Sequence, residues 1–229
     1  MPVNVREGGL PPPPELIEAL DGLDLPTIGH FLELGFTSPA IRRLTGTGLL
    51  VGRAVTVRVV APDSALVHRA AEHLGPGDVL VVDLGGARRH APVGAVVAEA
   101  VTAAGAIGIV VDGPVTDSRE LHRLPLSVYA RGTSALTTKL HALDAGGINV
   151  PVSVDGVPVL PGYVVIGDDD GLLLTDPADV MAVVERARRA ADAEPAKLDR
   201  IRAGSALTSV SAAGERLKAV LGSEDGGGA

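Results

Sequence analysis

Apolar and polar positions repeat with two different periods along the chain, and the period predicts the type of each element. The segment "GLLVGRAVTVRVV" (48–60) alternates apolar and polar residues from Val55 to Val59, which is typical of a long β-strand with one face on the core. The runs 78–83 and 106–111 are apolar almost throughout, as expected for strands buried on both faces. Residues 92–104 between them have the length and small side chains of a helix. Strand, helix and strand in this order predict a right-handed βαβ crossover.

Shorter apolar runs later in the chain predict strands that are joined by tight turns. Residues 150–175 read "VPVSVDGVPVLPGYVVIGDDDGLLLT", in which Gly156 and the run 168–171 mark two hairpin turns. Helices are expected at both ends of the chain, beginning at Pro14, after a Thr27 cap, after an Asp176 cap and again at Pro195. The pattern therefore predicts mixed sheets that are covered by helices.

Length and composition place these elements in one α/β domain. The chain has 229 residues and is 46% hydrophobic, which is enough to fill a single large core. With two Tyr, two Phe and no Trp, that core must consist of Val, Leu, Ile and Ala, which suit parallel strands under helices. We expect residues 1–24 to be an N-terminal extension, 25–203 to be the α/β domain, and 204–229 to be a C-terminal helix with a disordered tail.

Composition also limits the chemistry that this domain can carry. The net charge of −8 argues against a nucleic-acid partner, and the lack of cysteine excludes disulfides, thiolate metal sites and a cysteine nucleophile. No apolar run has the length of a membrane span, and the N-terminus lacks the regions of a signal peptide, so we expect a cytoplasmic protein without a membrane partner. Catalysis would depend on carboxylates, histidines, arginines and backbone amides.

The segment "VVDGPVTDSREL" (110–121) places an acidic residue just beyond the end of a predicted buried strand. Asp117 at this position can reach a hard divalent cation, because Mg²⁺ is held by one or two carboxylates together with waters. Asp and Ser are also common helix N-caps, so Asp117 or Ser118 can instead cap the helix that begins "SREL". Spacing alone favours the cap, whereas the position at a strand end favours an active site.

The segment "GGARRHAPVGAVVAEAV" (85–101) is a candidate anion site. The first N–H groups of a helix have no partner within it and lie at the positive end of its dipole. The amides of Gly94, Ala95, Val96 and Val97 can therefore hold a small carboxylate or phosphate. The alternative is an ordinary loop that needs glycine for its turn. Because neighbouring parallel strands end at the same edge of a sheet, this helix start and Asp117 should lie close together.

Two further groups of polar residues are weaker candidates. The run 168–171, Asp-Asp-Asp-Gly, can bind a cation but is more typical of a solvated hairpin turn. None of the six histidines has the spacing of a metal site. His90 is the one that we place near the chemistry, because it follows Arg88 and Arg89 in the glycine loop, defined here as residues 84–93.

A series of spaced segments resembles the RraA-like proteins, a family that includes divalent-metal-dependent 4-hydroxy-4-methyl-2-oxoglutarate (HMG) aldolases and a ribonuclease E regulator. The matching segments are "GRAVTV", "DSALVHRAAEHLGPGDVLVVDLGG", "GIVVDGPVTD", "VPVSVDGVPVLPG" and "DDDGLLL". They stand in the family's order and cover roughly residues 25 to 203. The resemblance implies a three-layer α/β/β swivelling domain, like the phosphohistidine domains. It also implies a homotrimer or a dimer of trimers, with the active site in a cleft between subunits.

The resemblance also implies roles for individual residues. In the aldolases an Arg-Asp pair follows the strand; its Asp holds Mg²⁺ or Mn²⁺, and its Arg binds the keto acid and stabilises the enolate. Backbone amides at the preceding helix start hold the pyruvate part. Carried onto this chain, the metal-binding residue is Asp117 and the amides are those of residues 94–97.

Four positions depart from the family's pattern. The Arg before the metal-binding Asp is Thr116 here, and the Glu that often follows Gly94 is Ala95. An Asp of the early helix is His30, and the Asp of a "PGD" motif is Tyr163. Thr offers one hydroxyl where Arg offers a fixed cation and a two-pronged set of donors.

The sequence leaves three hypotheses. The leading one is a divergent, metal-dependent aldolase-like or decarboxylase-like lyase that acts on a small keto acid or another carboxylate through an enolate. In it Thr116, Asp117 and His90 are catalytic, and Arg88, Thr116 and the 94–97 amides bind substrate. The second is a non-catalytic trimeric regulator or scaffold. The third is an enzyme of another reaction class that uses His90 or His30 as an acid–base group in the same cleft.

Overall fold

The computed structural model describes residues 2–221. Its helices are α1 (Pro14–Leu20), α2 (Leu25–Gly29), α3 (Ala65–Ala70), α4 (Ala95–Ala103), α5 (Ser118–Leu121), α6 (Pro177–Arg202), α7 (Leu207–Val210) and α8 (Ala213–Leu221). Its strands are β1 (Asn4–Val5), β2 (Arg42–Thr45), β3 (Leu50–Arg58), β4 (Asp78–Asp83), β5 (Gly108–Val111), β6 (Ser127–Ala130), β7 (Gly147–Ile148), β8 (Val152–Val154), β9 (Val157–Val159), β10 (Val164–Gly167) and β11 (Leu172–Thr175). A short 3₁₀ turn at Ala71–His73 follows α3.

One mixed sheet organises the molecule. Strands β3, β4, β5 and β6 lie side by side and parallel, and β2 closes one edge in the antiparallel direction. The other edge of β3 is divided, because its first half pairs with β10 and its last two residues pair with β7. The predicted crossover of β4, α4 and β5 is confirmed, since β4 and β5 are parallel neighbours.

The sheet lies between two other layers. Helices α3, α4 and α5 supply Val, Ala and Leu side chains to a core on one face, and the β8–β9 hairpin covers the other face with Val152, Val154 and Val159. A third apolar cluster joins α1, α2 and α6 to β10 and β11. The expected α/β/β layering is confirmed. Both hairpin turns, at Gly156 and at 168–171, are confirmed as well.

Three expectations about individual elements were wrong. The cap of α2 is Asp24, whose Oδ1 accepts a hydrogen bond from the Thr27 N–H at 2.8 Å; Thr27 itself lies inside the helix. No separate helix begins at Pro195, because α6 continues through it. Residues 192–202 are exposed, so water can bond the carbonyl that proline leaves without a donor. Strand β3 is buried on both faces from Ala54 to Val57, because the hairpin covers its second face.

The N-terminal residues pack against the rest of the domain. Helix α1 packs Leu16 and Leu20 into the core, and β1 pairs with β7. The proposed boundaries at residues 24 and 203 stay predictions, and the expected disordered tail falls on 222–229, outside the described residues. Across 2–221 no helix is both long and apolar enough to span a bilayer. The cytoplasmic location stays a prediction.

Candidate functional site

Asp117 follows β5 by six residues and has a left-handed backbone, with φ at 55°. It occupies the N-cap position of α5, but its side chain makes no capping hydrogen bond to that helix. Its Oδ2 instead accepts a hydrogen bond from the N–H of Ala95, 2.9 Å away and 22 residues earlier in the chain. The interpretation of Asp117 as the side-chain cap of the following helix is therefore wrong, and Ser118 is already the first residue of that helix.

The helix start and the acidic residue lie together, as the strand order predicts. A Cβ placed on Gly94 would lie 2.4 Å from Asp117 Oδ2 and 2.7 Å from Thr116 Cγ2, so only glycine allows this close approach. The Thr116 N–H donates to the Val93 carbonyl at 2.9 Å and fastens the two segments. The predicted proximity of Asp117 to the start of α4 is confirmed.

The predicted amides in the first turn of α4 differ in whether another group of the protein already binds them. The Ala95 N–H is bound to Asp117, so the protein itself satisfies one of them. Val96 and Val97 follow in the same turn, where N–H groups have no acceptor within the helix. The Val96 side chain is 76% exposed, whereas Val97 packs into the core. An anion at this helix start would therefore be bound by the amides beside Ala95, next to an exposed carboxylate.

The site can be tested for its fit to the divalent cation that the resemblance implies. Asp117 is exposed, and its Oδ1 lies 3.4 Å from the Thr116 hydroxyl. Within residues 2–221, no three or more His, Asp or Glu side chains assemble into a metal-binding group. A hydrated Mg²⁺ needs only one or two carboxylates and keeps most of its waters, so Asp117 fits that ion.

Arg88 projects from the glycine loop and is half-exposed. Its Nη1 donates to Asp112 Oδ1 at 2.9 Å. The loop is held at its start by the bond from the Gly85 N–H to Asp83, at 2.7 Å, and near its end by the bond from the Ser134 hydroxyl to the Arg89 carbonyl, at 2.8 Å. The structure therefore gives Arg88 a definite partner within the chain.

Sequence reasoning missed that partner. Asp112 directly follows β5, is 6% exposed, and also accepts a hydrogen bond from Arg131 Nε at 2.6 Å. Burial raises the pKa of Asp112, a backbone N–H from Asp155 opposes the rise, and the negative charges of Asp83 and Asp155 add to it. The available signal was that β4 ends in Asp83 and β5 is followed directly by Asp112, at the edge where α/β proteins bind ligands.

The two histidines suggested as acid–base groups, His90 and His30, lie in different parts of the structure. His90 is half-buried in the glycine loop, where the next residue donates its N–H to the Leu136 carbonyl at 2.8 Å. His30 stands at the end of α2 and lines a cavity of about 480 Å³ between α2 and the β10–β11 turn. The catalytic roles suggested for both stay predictions.

The run 168–171 is a structural turn. Asp168 Oδ1 accepts hydrogen bonds from the N–H groups of Asp170 and Gly171, and its Oδ2 accepts one from Leu25 at 2.7 Å. These bonds use the carboxylate to hold the hairpin and the start of α2. The expectation of a turn at these residues is confirmed.

The chain is similar in sequence to a known protein family. A family model described as RraA-like, Aldolase/RraA, matches residues 18–174. The chain belongs to the RraA-like family. The α/β/β architecture and the spaced motifs of the sequence agree with this membership.

Relatives of this RraA-like chain include enzymes and regulators by name. An HMG aldolase from Thermus thermophilus is 42% identical over 130 residues, which are 56% of this chain and 77% of the relative. A solved structure titled as the RNA-processing inhibitor RraA, also from Thermus, is 35% identical with a TM-score of 0.58, and the match covers 64% of this chain and 87% of that one. The Streptomyces coelicolor protein RraAS2, titled as an unusual RNase ES inhibitor family member, is 25% identical with a TM-score of 0.68 over 82% and 97%.

Proposed function

We propose that this RraA-like protein is a divalent-metal-dependent carbon–carbon lyase, of the aldolase or oxaloacetate decarboxylase kind, acting on a small keto acid. The observation that carries the proposal is the contact between the Asp117 carboxylate and the first turn of α4. It puts a potential cation ligand beside a set of anion-binding amides on one exposed surface. The HMG aldolase named among the relatives supports the reaction class.

In this proposal each group has one task. Asp117 holds Mg²⁺ or Mn²⁺, and the N–H groups of Gly94, Val96 and Val97 bind the substrate carboxylate. Ala95 contributes by fixing Asp117, because its N–H is already bound to that carboxylate. Thr116 contacts the substrate through its hydroxyl, and His90 is the candidate for taking the hydroxyl proton of an aldol substrate and for returning a proton to the enolate carbon.

The charge balance explains why a cation is required. When the carbon–carbon bond breaks, its electron pair stays on the keto-acid fragment as an enolate, which needs positive charge nearby. The divalent cation supplies that charge as a Lewis acid when it is bound. Thr116 brings none, and loss of one such partner costs about 3–4 kcal/mol, or roughly a hundredfold or more in rate. The glycine loop carries two cations, Arg88 and Arg89, that can bring positive charge to the substrate carboxylate.

The test is to supply HMG or oxaloacetate with Mg²⁺ and to follow pyruvate. We expect turnover that stops when EDTA removes the metal and that falls about a hundredfold or more in Asp117→Asn. Asp192→Asn, which changes an exposed acid on α6, is the matched control and should keep the wild-type rate. Turnover that persists unchanged in Asp117→Asn, or in EDTA, would contradict the proposal.

A second candidate, a non-catalytic regulator or scaffold, is favoured by two observations at the same place. One oxygen of Asp117 already accepts a hydrogen bond from the Ala95 N–H, and Thr116 stands where the aldolases have their Arg. The relatives titled as RNA-processing inhibitors fit this alternative. Calorimetric titration with Mg²⁺ and pyruvate separates the two. Metal-dependent pyruvate binding that Asp117→Ala abolishes would count against the scaffold.

A further inference from the structure

A row of charged residues crosses the sheet at the ends of its parallel strands. Arg58 of β3 is the register partner of Asp83 of β4. Val82 and Ala130 both pair with Val111, so the next residues along their strands, Asp83, Asp112 and Arg131, continue the row. Arg58 donates to Asp83 Oδ2 at 2.7 Å through Nη2, and Arg131 donates to Asp112. The row thus reads Arg, Asp, Asp and Arg, with Arg58 and Asp83 ending β3 and β4, and Asp112 and Arg131 directly following β5 and β6.

Asp112 is the member of this row that bonds to the glycine-loop residue Arg88. Its Oδ1 accepts from Arg131 Nε at 2.6 Å and from Arg88 Nη1 at 2.9 Å. The Asp112 and Arg131 side chains are 8% and 15% exposed, whereas the Arg88 side chain is 49% exposed. A buried pair therefore holds a guanidinium that keeps half of its surface open to solvent.

The buried pair is itself fixed from the other side. Arg131 Nη2 donates to Asp155 in the turn between β8 and β9, and Asp155 Oδ2 accepts from the Ser38 N–H at 2.7 Å. Burial alone would raise the pKa of Asp155, but the hydrogen bonds from Ser38 and Arg131 outweigh it and lower that pKa. The Asp112–Arg131 pair that binds Arg88 is consequently bonded both at the strand ends and to the β8–β9 hairpin.

The loop that carries Arg88 packs along the segment that ends in Asp117. A Cβ on Gly113 would lie 3.3 Å from the Ala87 carbonyl oxygen, and the Val93 carbonyl accepts the Thr116 N–H. Contacts at both ends of the loop thus border residues 113–116. The loop that carries Arg88 therefore runs beside the segment that leads from β5 to Asp117.

We infer that Asp112 is a positioning residue that orients Arg88 toward the carboxylate of the bound substrate. This inference rests on the proposed function and adds a cation for the substrate carboxylate, a contact that the Thr116 hydroxyl cannot supply. Among the contacts of residues 2–221, Arg88 gives an N–H of Nη1 to Asp112 and none of Nε or Nη2, the paired donors that match a carboxylate. The buried Asp112–Arg131 pair fixes one terminal nitrogen of Arg88, so the guanidinium is held at its tip rather than left free to rotate.

The test compares four variants with oxaloacetate and Mg²⁺: Arg88→Met, Asp112→Asn, the double variant, and Arg69→Met as the control. Arg69 is an exposed arginine of α3 whose side chain pairs only with Glu72 among the described contacts. We expect Arg88→Met to raise KM about tenfold while kcat changes less than about threefold. Asp112→Asn should raise KM by a similar factor, and the double variant should be no worse than Arg88→Met alone.

The outcomes separate the inference from the proposed function. An Arg88→Met variant whose KM equals that of Arg69→Met would overturn the inference. The inference would also fail if the increases in KM of Arg88→Met and Asp112→Asn multiplied in the double variant, because Asp112 would then act independently of Arg88. If the wild type shows no turnover, the proposed function fails, and pyruvate affinity in calorimetry takes the place of KM in the same comparison. If Asp112→Asn does not fold, Arg88→Lys replaces it: lysine keeps the charge but not the two-pronged donors, so a wild-type KM in that variant would refute the inference.

Discussion

The backbone of Asp117 is left-handed, and its side chain lies against the first turn of α4. Asp is one of the few residues other than glycine that adopts this conformation, so the strain is small but real. The conformation turns the carboxylate away from its own helix and toward Ala95. At this position, backbone conformation decides whether the residue is a cap or a candidate ligand.

Gly94→Ala should disturb this contact more than any other single methyl group. The new Cβ would lie 2.4 Å from Asp117 Oδ2 and 2.7 Å from Thr116 Cγ2, so the carboxylate must move away from Ala95. We expect Mg²⁺-dependent turnover to fall about a hundredfold, with a stability loss of about 1–3 kcal/mol from the forced shift. Steady-state kinetics and urea unfolding measure the two effects. Gly171→Ala is the control, since its Cβ would meet nothing within 4 Å. Unchanged kinetics in Gly94→Ala would contradict the expectation.

At this scale the sequence predicted some contacts and missed others. The meeting of Asp117 with the 94–97 amides followed from strand order, because neighbouring parallel strands end at one edge. The bonds from Arg88 and Arg131 to Asp112 did not follow, because they depend on rotamers of long side chains on three separate segments. No period or spacing in a sequence encodes such a choice.

At the scale of elements, one buried carboxylate organises the long connection between β6 and β7. Asp63 is 5% exposed, and its Oδ1 accepts from the N–H groups of Ala65 and His141, both at 3.0 Å. Its Oδ2 accepts from Leu143 at 2.8 Å. It therefore fixes the start of α3 and part of the connection at once. Burial would raise the pKa of Asp63, but these backbone donors outweigh it and lower the pKa.

Asp63→Asn should destabilise the protein by about 1–3 kcal/mol at pH 7, because one amide oxygen replaces two charged acceptors. The wild-type contribution is fully present above the ordinary carboxyl pKa of about 3.9, and it is lost as the pH falls through the lowered pKa of the folded state. The difference in the free energy of unfolding between the wild type and Asp63→Asn should therefore become smaller toward pH 3. Urea unfolding at both pH values measures it. Asp192→Asn, on an exposed turn of α6, controls for charge. A gap that widens in acid would refute the argument.

Element types were easier to predict than element limits. The 78–83 and 106–111 runs gave β4 and β5 because apolar strands buried on both faces have few alternatives. The start of α2 was misplaced because Asp24 and Thr27 are both good caps, and only the observed bond distinguishes them. Pro195 did not end α6, because that part of the helix is exposed to water.

At the scale of the whole molecule, the family match and the fold do not have the same extent. The match ends at residue 174, at the close of the last strand, while α6, α7 and α8 continue beyond it. The α/β/β layering was predictable because it follows from strand type and from a resemblance spread over much of the chain. The course of the C-terminal helices was not, because no motif specifies how they pack.

Assembly into a homotrimer, or a dimer of trimers, is a prediction from the resemblance and belongs to this scale. Light scattering should give three or six times the 23.2 kDa mass of one chain. Val96, which is 76% exposed beside Asp117, would be covered in such a ring if the cleft lies between subunits. We expect Val96→Asp to weaken assembly, with Val220→Asp on α8 as an exposed control. A monomeric mass at micromolar concentration would contradict the prediction.

The pairing of strand β3 on both sides affects how the protein unfolds. It pairs with β4 along one side, while β10 and β7 share its other side, so it cannot leave the sheet without releasing all three. Partial openings that free a helix or a loop leave its ladders intact. Deuterium should therefore enter the paired amides of this strand only when the entire protein unfolds, and their exchange rates report the global free energy of unfolding directly.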